Sequence, residues 1–204
     1  MPLQNRVDPY GVLFRSPARG TMMGNRGGAL HNDAREIVRR YKSRRWIACV
    51  LEFRGRRRTV MSPNRYTELF FLDEAVAFAA GHRPCAECRR ERFNAFKDAW
   101  GSRQARADDI DAVLHPYRLG KARTRAPLLS LPDGCFVEID GSPWLVWNDA
   151  LLLWTPERYA ERRGRPPALT VTLLTPPPIV DCFRRGYRPE PHPSALSLAS
   201  ADRP

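Results

Sequence analysis

Cys85-Ala86-Glu87-Cys88 is the part of this chain that holds the most chemistry. Two thiolates separated by two residues sit on one tight turn. From there both sulfurs reach a single ion at about 2.3 Å, the Zn–S bond length. A structural zinc site takes four ligands, so the pair is half of one. The pair also has two plainer readings, a redox dithiol or two core cysteines. A redox dithiol expects a buried strand ahead of the first cysteine, whereas the residues before Cys85 have a helical pattern. Five cysteines is an odd number, and only Cys85 and Cys88 lie close together in sequence. In a reducing compartment that favours thiols and metal over disulfides.

The second chemical signal is cationic. The net charge is +12, and it is unevenly placed. Residues 1–70 carry 15 Lys and Arg against 5 Asp and Glu, while the rest of the chain carries 19 against 17. Two clusters dominate: Arg39, Arg40, Lys42, Arg44 and Arg45, then Arg54, Arg56, Arg57 and Arg58. Arg forks onto phosphate, and Tyr41, Trp46 and Tyr66 lie nearby for base stacking. Arg44, Arg45, Arg54, Arg56, Arg57 and Arg58 are therefore the candidate nucleic-acid contacts. A solvated face is the plainer reading of the same charges. Gly20–Gly28 lacks the Lys-Ser/Thr of a phosphate loop. Four scattered histidines form no HxxxH pair.

These residues need elements to position them. Residues 1–32 read as loop or extended arm, and Asp33 as the cap of a short basic helix over 34–41. Trp46–Phe53 reads as a strand that turns at Arg54-Gly55 and returns over Arg57–Met61. Glu68–Phe71 reads as a short strand. A helix over Leu72–Ala80 is stopped by Gly81, and the cysteine knuckle leads into a helix over Arg89–Trp100 with Phe93, Phe96 and Trp100 on one face. A short helix through Leu114 starts at Asp108 or Asp109. Residues 118–132 read as loop. Cys135–Ile139, Pro143–Trp147 and Ala150–Trp154 then form a meander, with turns at Asp140-Gly141 and Asn148-Asp149. Glu161–Pro167 reads as linker, Leu169–Leu174 as strand, and Thr175 as the cap of a helix ending at Gly186. Both faces of the Trp144–Trp147 strand are apolar, so one is a candidate interface.

The run from Glu68 to Arg89 resembles the second half of the Ada-type metal-binding domain of DNA-repair proteins. The likeness rests on the aromatic strand end at Phe70-Phe71, the short helix with Glu74-Ala75 and Ala80-Gly81, and the knuckle Arg83-Pro84-Cys85-Ala86-Glu87-Cys88-Arg89. It covers about 25 residues. The resemblance implies a tetrahedral zinc site whose other two ligands come from an upstream hairpin. Only Cys49 is available there, and the fourth place falls to His31, His82 or Cys135. His31 follows Gly27-Gly28 and can fold back onto the site, whereas His82 stands where the family has an aromatic and reads as a packing residue. The implied ligand set is Cys85, Cys88, Cys49 and His31. In the family an upstream cysteine accepts a methyl group from a DNA phosphotriester, and Cys49 is the only counterpart here. Pro84-Cys85-x-x-Cys88 also matches half of the zinc deaminase signature, but neither His31-Asn32-Asp33 nor Cys49-Val50-Leu51-Glu52 supplies the other half.

The sequence therefore predicts an α+β chain: a basic arm and zinc-binding hairpin/helix module over 1–117, an antiparallel β-meander with a closing helix over 118–186, and a loose tail over 187–204. It has no run of 18 apolar residues and no signal-peptide pattern at Met1–Arg6, so a cytoplasmic protein is expected. The expected cofactor is Zn²⁺, and the expected partner is nucleic acid, DNA in preference because of the resemblance. The rivals are a zinc- or cysteine-dependent enzyme acting on nucleic acid or a nucleotide, and a protein-interaction module.

Overall fold

The computed structural model describes residues 1–55, 59–102, 104–120 and 124–200. Within them the chain is α+β, as the sequence predicts, with two six-stranded sheets. The first sheet holds β1 (Arg6–Val7), β2 (Leu13–Phe14), β3 (Met22–Arg26), β4 (Trp46–Cys49), β5 (Leu69–Phe71) and β6 (Arg83–Pro84), in the order β2-β1-β5-β3-β4-β6. The second holds β7 (Thr124–Pro127), β8 (Phe136–Ile139), β9 (Ser142–Trp147), β10 (Ala150–Trp154), β11 (Tyr159–Gly164) and β12 (Thr170–Leu173), in the order β11-β10-β9-β8-β12-β7. The helices are α1 (Glu74–Ala79), α2 (Arg90–Trp100), α3 (Ala107–Arg118), α4 (Pro177–Arg184) and α5 (Pro193–Ser200). No helix among the described residues is long and apolar enough to cross a membrane.

The meander follows directly from the sequence pattern. Asp140 and Gly141 both take positive φ, 52° and 72°, the geometry whose twist matches that of the flanking strands. Side chains then alternate across the sheet. Trp144, Val146, Leu151 and Val137 enter one core with Phe78, Phe93, Phe96 and the α4 residues Ile179 and Phe183. Leu145, Phe136 and Leu152 enter a second with Ala48, Leu69, Val76 and Val7 of the first sheet and α1. Both apolar faces are therefore core, so the surface that an interaction module would offer on this strand is already covered. Each core also combines residues before and after residue 117.

Elsewhere the structure departs from the sequence pattern, and tertiary pairing is the reason. The expected arm contains β3, the strand between β5 and β4. Its residues have little strand propensity, but Gly24 is required there. A Cβ at that position would lie 2.3 Å from the Ile47 carbonyl oxygen and 2.9 Å from the Phe71 ring. The expected helix over 34–41 is replaced by a turn. Arg35 takes φ 59°, and Asn32 accepts the Glu36 N–H at 2.9 Å. Local side-chain bonding of this kind competes with helix. The Arg54-Gly55 turn exists, with positive φ at both residues, but β4 pairs with β3 and β6 rather than with a returning strand. The expected linker at 161–167 is mostly β11, on the sheet edge, and part of the expected 118–132 loop is β7. Residues 187–198 are also tied down where composition predicts loose chain. Tyr187 is buried, Ala195 is fully buried, and α5 packs along the sheet edge.

Candidate metal centre

Two backbone features bring the cysteines together. β4 runs parallel to β6, with Ile47 beside Arg83 and Ala48 beside Pro84. The Cys85 N–H donates to the Ala48 carbonyl at 2.9 Å. Cys49, the next residue on β4, therefore stands at the head of the knuckle. The sulfurs of Cys49, Cys85 and Cys88 all lie within 4.8 Å of one another. Ligands on one tetrahedral ion at the Zn–S distance stand about 3.8 Å apart, so the cluster has the dimensions of a single coordination sphere.

The local electrostatics favour one negative sulfur, that of Cys85, among three. The Glu87 N–H points at Cys85 Sγ at 3.4 Å. Cys85 is held well below the usual thiol range by hydrogen bonds from Cys49 and Cys88 and by backbone N–H groups. The Cys49 thiol is pushed far up by its bonds to Cys85 and Cys88 together with burial. Loss of its proton would set like charges side by side in a poorly solvated place, and a cation relieves that repulsion. The three cysteines can thus hold a metal ion.

The surroundings fix the knuckle rigidly. Arg83, just before it, is 3% exposed and donates to Asp111 Oδ2 at 2.7 Å. The other oxygen of Asp111 accepts from Arg118 at 2.8 Å. Arg118 also donates to the Gly81 and Arg44 carbonyls. Arg89, just after the knuckle, pairs with the buried Glu74 at the start of α1 and with Glu190. Glu74 further accepts from Arg92, from the Tyr187 hydroxyl and from the Glu190 N–H. Asp73, the cap of α1, accepts from Val76 N, His192 N and the Tyr159 hydroxyl. Burial nevertheless raises its pKa to about 6.

His31 is not part of the cluster. It is buried, 54 residues before Cys85 in sequence, with Nδ1 bonded to the Thr67 hydroxyl at 2.6 Å and Nε2 to the Ser62 carbonyl at 3.2 Å. Gly28 does carry it inward, but the partner it meets is the 62–67 loop. Among the described residues no fourth His, Cys, Asp or Glu joins the three sulfurs. His82 is a packing residue, fully buried against Phe71 and Trp46 and contacted by Arg26. Cys135 and Cys182 belong to the first core.

The cysteines border two adjacent hollows, and Cys85 lines both. A groove of about 1240 Å³ runs from Gly27 and Ser43 past Arg44, Arg45 and Arg106 to Cys85. A second hollow of about 520 Å³ is walled by all three cysteines and by Met23, Phe70 and Glu68 among others. Asn25, Ile47, Tyr66, Cys85 and Glu87 line both. Arg44 and Arg45 thus lie on the groove, and Arg45 pairs with Asp108 at 2.9 Å. Arg54 is exposed at its turn, beside the Phe53 ring. Arg56, Arg57 and Arg58 lie outside the described residues. Glu68 was not picked out by the sequence, because a lone carboxylate at a strand end carries no spacing signal. Comparison with protein-family models, curated proteins and solved structures finds no match to this chain.

Proposed function

We propose that this chain is a zinc-containing protein that binds nucleic acid, with DNA as the first partner to test. One observation carries the reading: Cys49, 36 residues before Cys85 in sequence, meets Cys85 and Cys88 at the end of a groove that carries Arg44 and Arg45. Three soft thiolates in one cluster select zinc over hard cations. The meeting of an upstream strand cysteine with the knuckle is also what the Ada-type resemblance implies, so it supports that relationship. The exposed Arg39, Arg40, Lys42, Arg44, Arg45 and Arg54 supply a cationic surface on the same third of the chain. Zinc would hold β4 to the knuckle and so shape the groove.

The test combines elemental analysis with binding to duplex and single-stranded DNA over a salt series. The expected result is about one zinc per chain, with affinity that falls steeply as salt rises. A folded protein that contains no zinc and binds neither form of DNA at low salt overturns the proposal.

The position of the cysteines on a hollow favours a second reading. Three protein ligands leave a place for an outside ligand, as in catalytic rather than closed sites. An enzyme acting on nucleic acid or a nucleotide fits that arrangement. Loss of reactant in a nucleoside and oligonucleotide panel, abolished by Cys49→Ser, would support it.

A further inference from the structure

We propose that the 520 Å³ hollow beside the cysteines is a base pocket, which takes an unstacked nucleobase with an exocyclic amino group and reads that group through Glu68. The inference rests on the nucleic-acid reading and adds to it a site and a base preference.

The pocket floor is the outer face of the first sheet. Met23 lies between Cys49 on β4 and Phe70 on β5. Two residues further along β3, Asn25 stands beside Ile47. The same face continues through Glu68, since Gly24 pairs with Leu69 and the next position along the register sets Asn25 against Glu68. Val50, Leu51, Phe53, Val60 and Tyr66 close the sides. The enclosure is apolar and partly aromatic, which suits a flat heterocycle.

Glu68 makes the pocket specific. It is only 4% exposed. Its Oε2 accepts the Met61 N–H at 2.8 Å, while its Oε1 has no hydrogen-bond partner among the described residues. A buried carboxylate oxygen without a partner lacks stabilisation that a ligand N–H can supply. Asn25 lies next to it and spends its Oδ1 on the Gly27 N–H at 3.0 Å, so its amide NH₂ is the end left to donate. An acceptor beside a donor matches an amino group beside a ring nitrogen, the edge of cytosine and of adenine. Uracil held in the same pose sets its O4 carbonyl where the amino group would be, facing the carboxylate oxygen with no proton between them, and must shift along its edge to offer its single ring N–H instead. The residues that line both hollows give a route for a strand: its phosphates follow Arg44 and Arg45 in the groove while one base turns in past Tyr66.

The Met61 bond makes the substitution Glu68→Gln informative. Its amide oxygen keeps the Met61 N–H, so the NH₂ replaces Oε1. The acceptor becomes a donor with little change of shape. The experiment measures binding of oligo-dC and oligo-dU of one length to zinc-loaded wild type, Glu68→Gln and Phe53→Ala. Metal content and melting temperature are followed in each. Wild type is expected to prefer oligo-dC by roughly tenfold, the scale of one hydrogen bond to a charged group. Glu68→Gln is expected to lose or reverse that preference while keeping its metal. Phe53→Ala, which removes a ring from the wall, is expected to weaken both strands alike. Salt-sensitive binding with equal affinity for the two strands in wild type overturns the base pocket and leaves the nucleic-acid reading standing. A preference that survives intact in Glu68→Gln overturns the role of Glu68 and the pocket with it. No binding of either strand overturns the parent reading, and this inference falls with that.

Discussion

A thiolate is worth little as a ligand until two others stand within reach, and here the spacing of one pair settles only two of the three. Cys85 and Cys88 were legible because their separation is itself a geometric statement. Cys49 was legible only as the one cysteine on an upstream strand, and His31 only as one of three candidates for the fourth place. What separates the two is a pairing invisible in the sequence. β4 runs beside β6 and delivers Cys49, while Thr67 and Ser62 satisfy both nitrogens of His31. Cys85→Ser should therefore lower zinc from about one per chain to near zero, whereas His31→Gln should leave it unchanged; elemental analysis of the two variants checks both. Asp73 gives a second prediction. Its folded pKa, about 6, lies above the ordinary aspartate value of 3.8 because burial disfavours the charged form. The folded protein therefore binds a proton more tightly than the unfolded chain. This side chain's contribution is fully present below pH 3.8 and is lost as the pH rises through 6. Relative to Asp73→Asn, wild type should lose about 2–3 kcal/mol of stability between pH 4 and pH 7, as read from denaturant midpoints at the two pH values.

At the scale of elements, the parts that could be read ahead of the structure are those whose signals are local. α1 ends at Gly81, whose φ of 82° suits glycine and where a Cβ would meet Arg118 at 2.7 Å. α2 shows its buried Phe93 and Phe96 in the spacing of its aromatics. The Asp140-Gly141 turn identifies β8 and β9. The first sheet was mostly illegible because β1, β2 and β6 are two residues long and β3 is made of Met, Gly, Asn and Arg. Such strands exist because their neighbours hold them, a non-local cause. The same holds for the knuckle, whose approach strand is fixed from α3. Asp111 is 1% exposed and holds Arg83 with one oxygen and Arg118 with the other. Asp111→Ala would leave two buried guanidinium groups without their carboxylate. Removing one partner of a buried pair costs about 3–5 kcal/mol. Thermal or denaturant unfolding should show a loss of that size. Zinc affinity should fall as well, because β6 leads directly into Cys85 and its Arg83 is no longer anchored on α3. If the variant loses stability while binding zinc as tightly as wild type, β6 is positioned by its strand pairing alone.

Across the whole molecule, the charge asymmetry and the cysteine cluster turn out to share a surface. The meander, which looked like a second unit with a free face, is the layer between the two cores, and Arg44 and Arg45 stand beside β4 of the first sheet rather than on a loose arm. That matters for binding, because cations held in place act together on a phosphate backbone. Arg44 and Arg45 are both exposed, and the backbone around them is pinned. Lys42 N–H and Ser43 N–H donate to the Arg26 carbonyl, and Arg118 donates to the carbonyl of Arg44. Arg45 does pair with Asp108, but the two side chains are 67% and 56% exposed, and a pair so open to water contributes little. Phosphate can therefore compete for Arg45. Each phosphate neutralised on B-DNA adds about 0.9 to the magnitude of the log–log salt slope. Arg44→Ala with Arg45→Ala should flatten the slope by about 2 units if both make contact. The loss should be alike for unrelated sequences, since backbone contacts carry no base information. Zinc content should not change, because neither side chain is among the three ligands. Asp108→Ala should act in the opposite sense, freeing Arg45 and tightening binding at low salt. A slope unchanged in the double variant would mean that these two arginines only face solvent. The cationic contribution would then have to come from the other cations of the first third of the chain, and the groove would cease to be the strand's path.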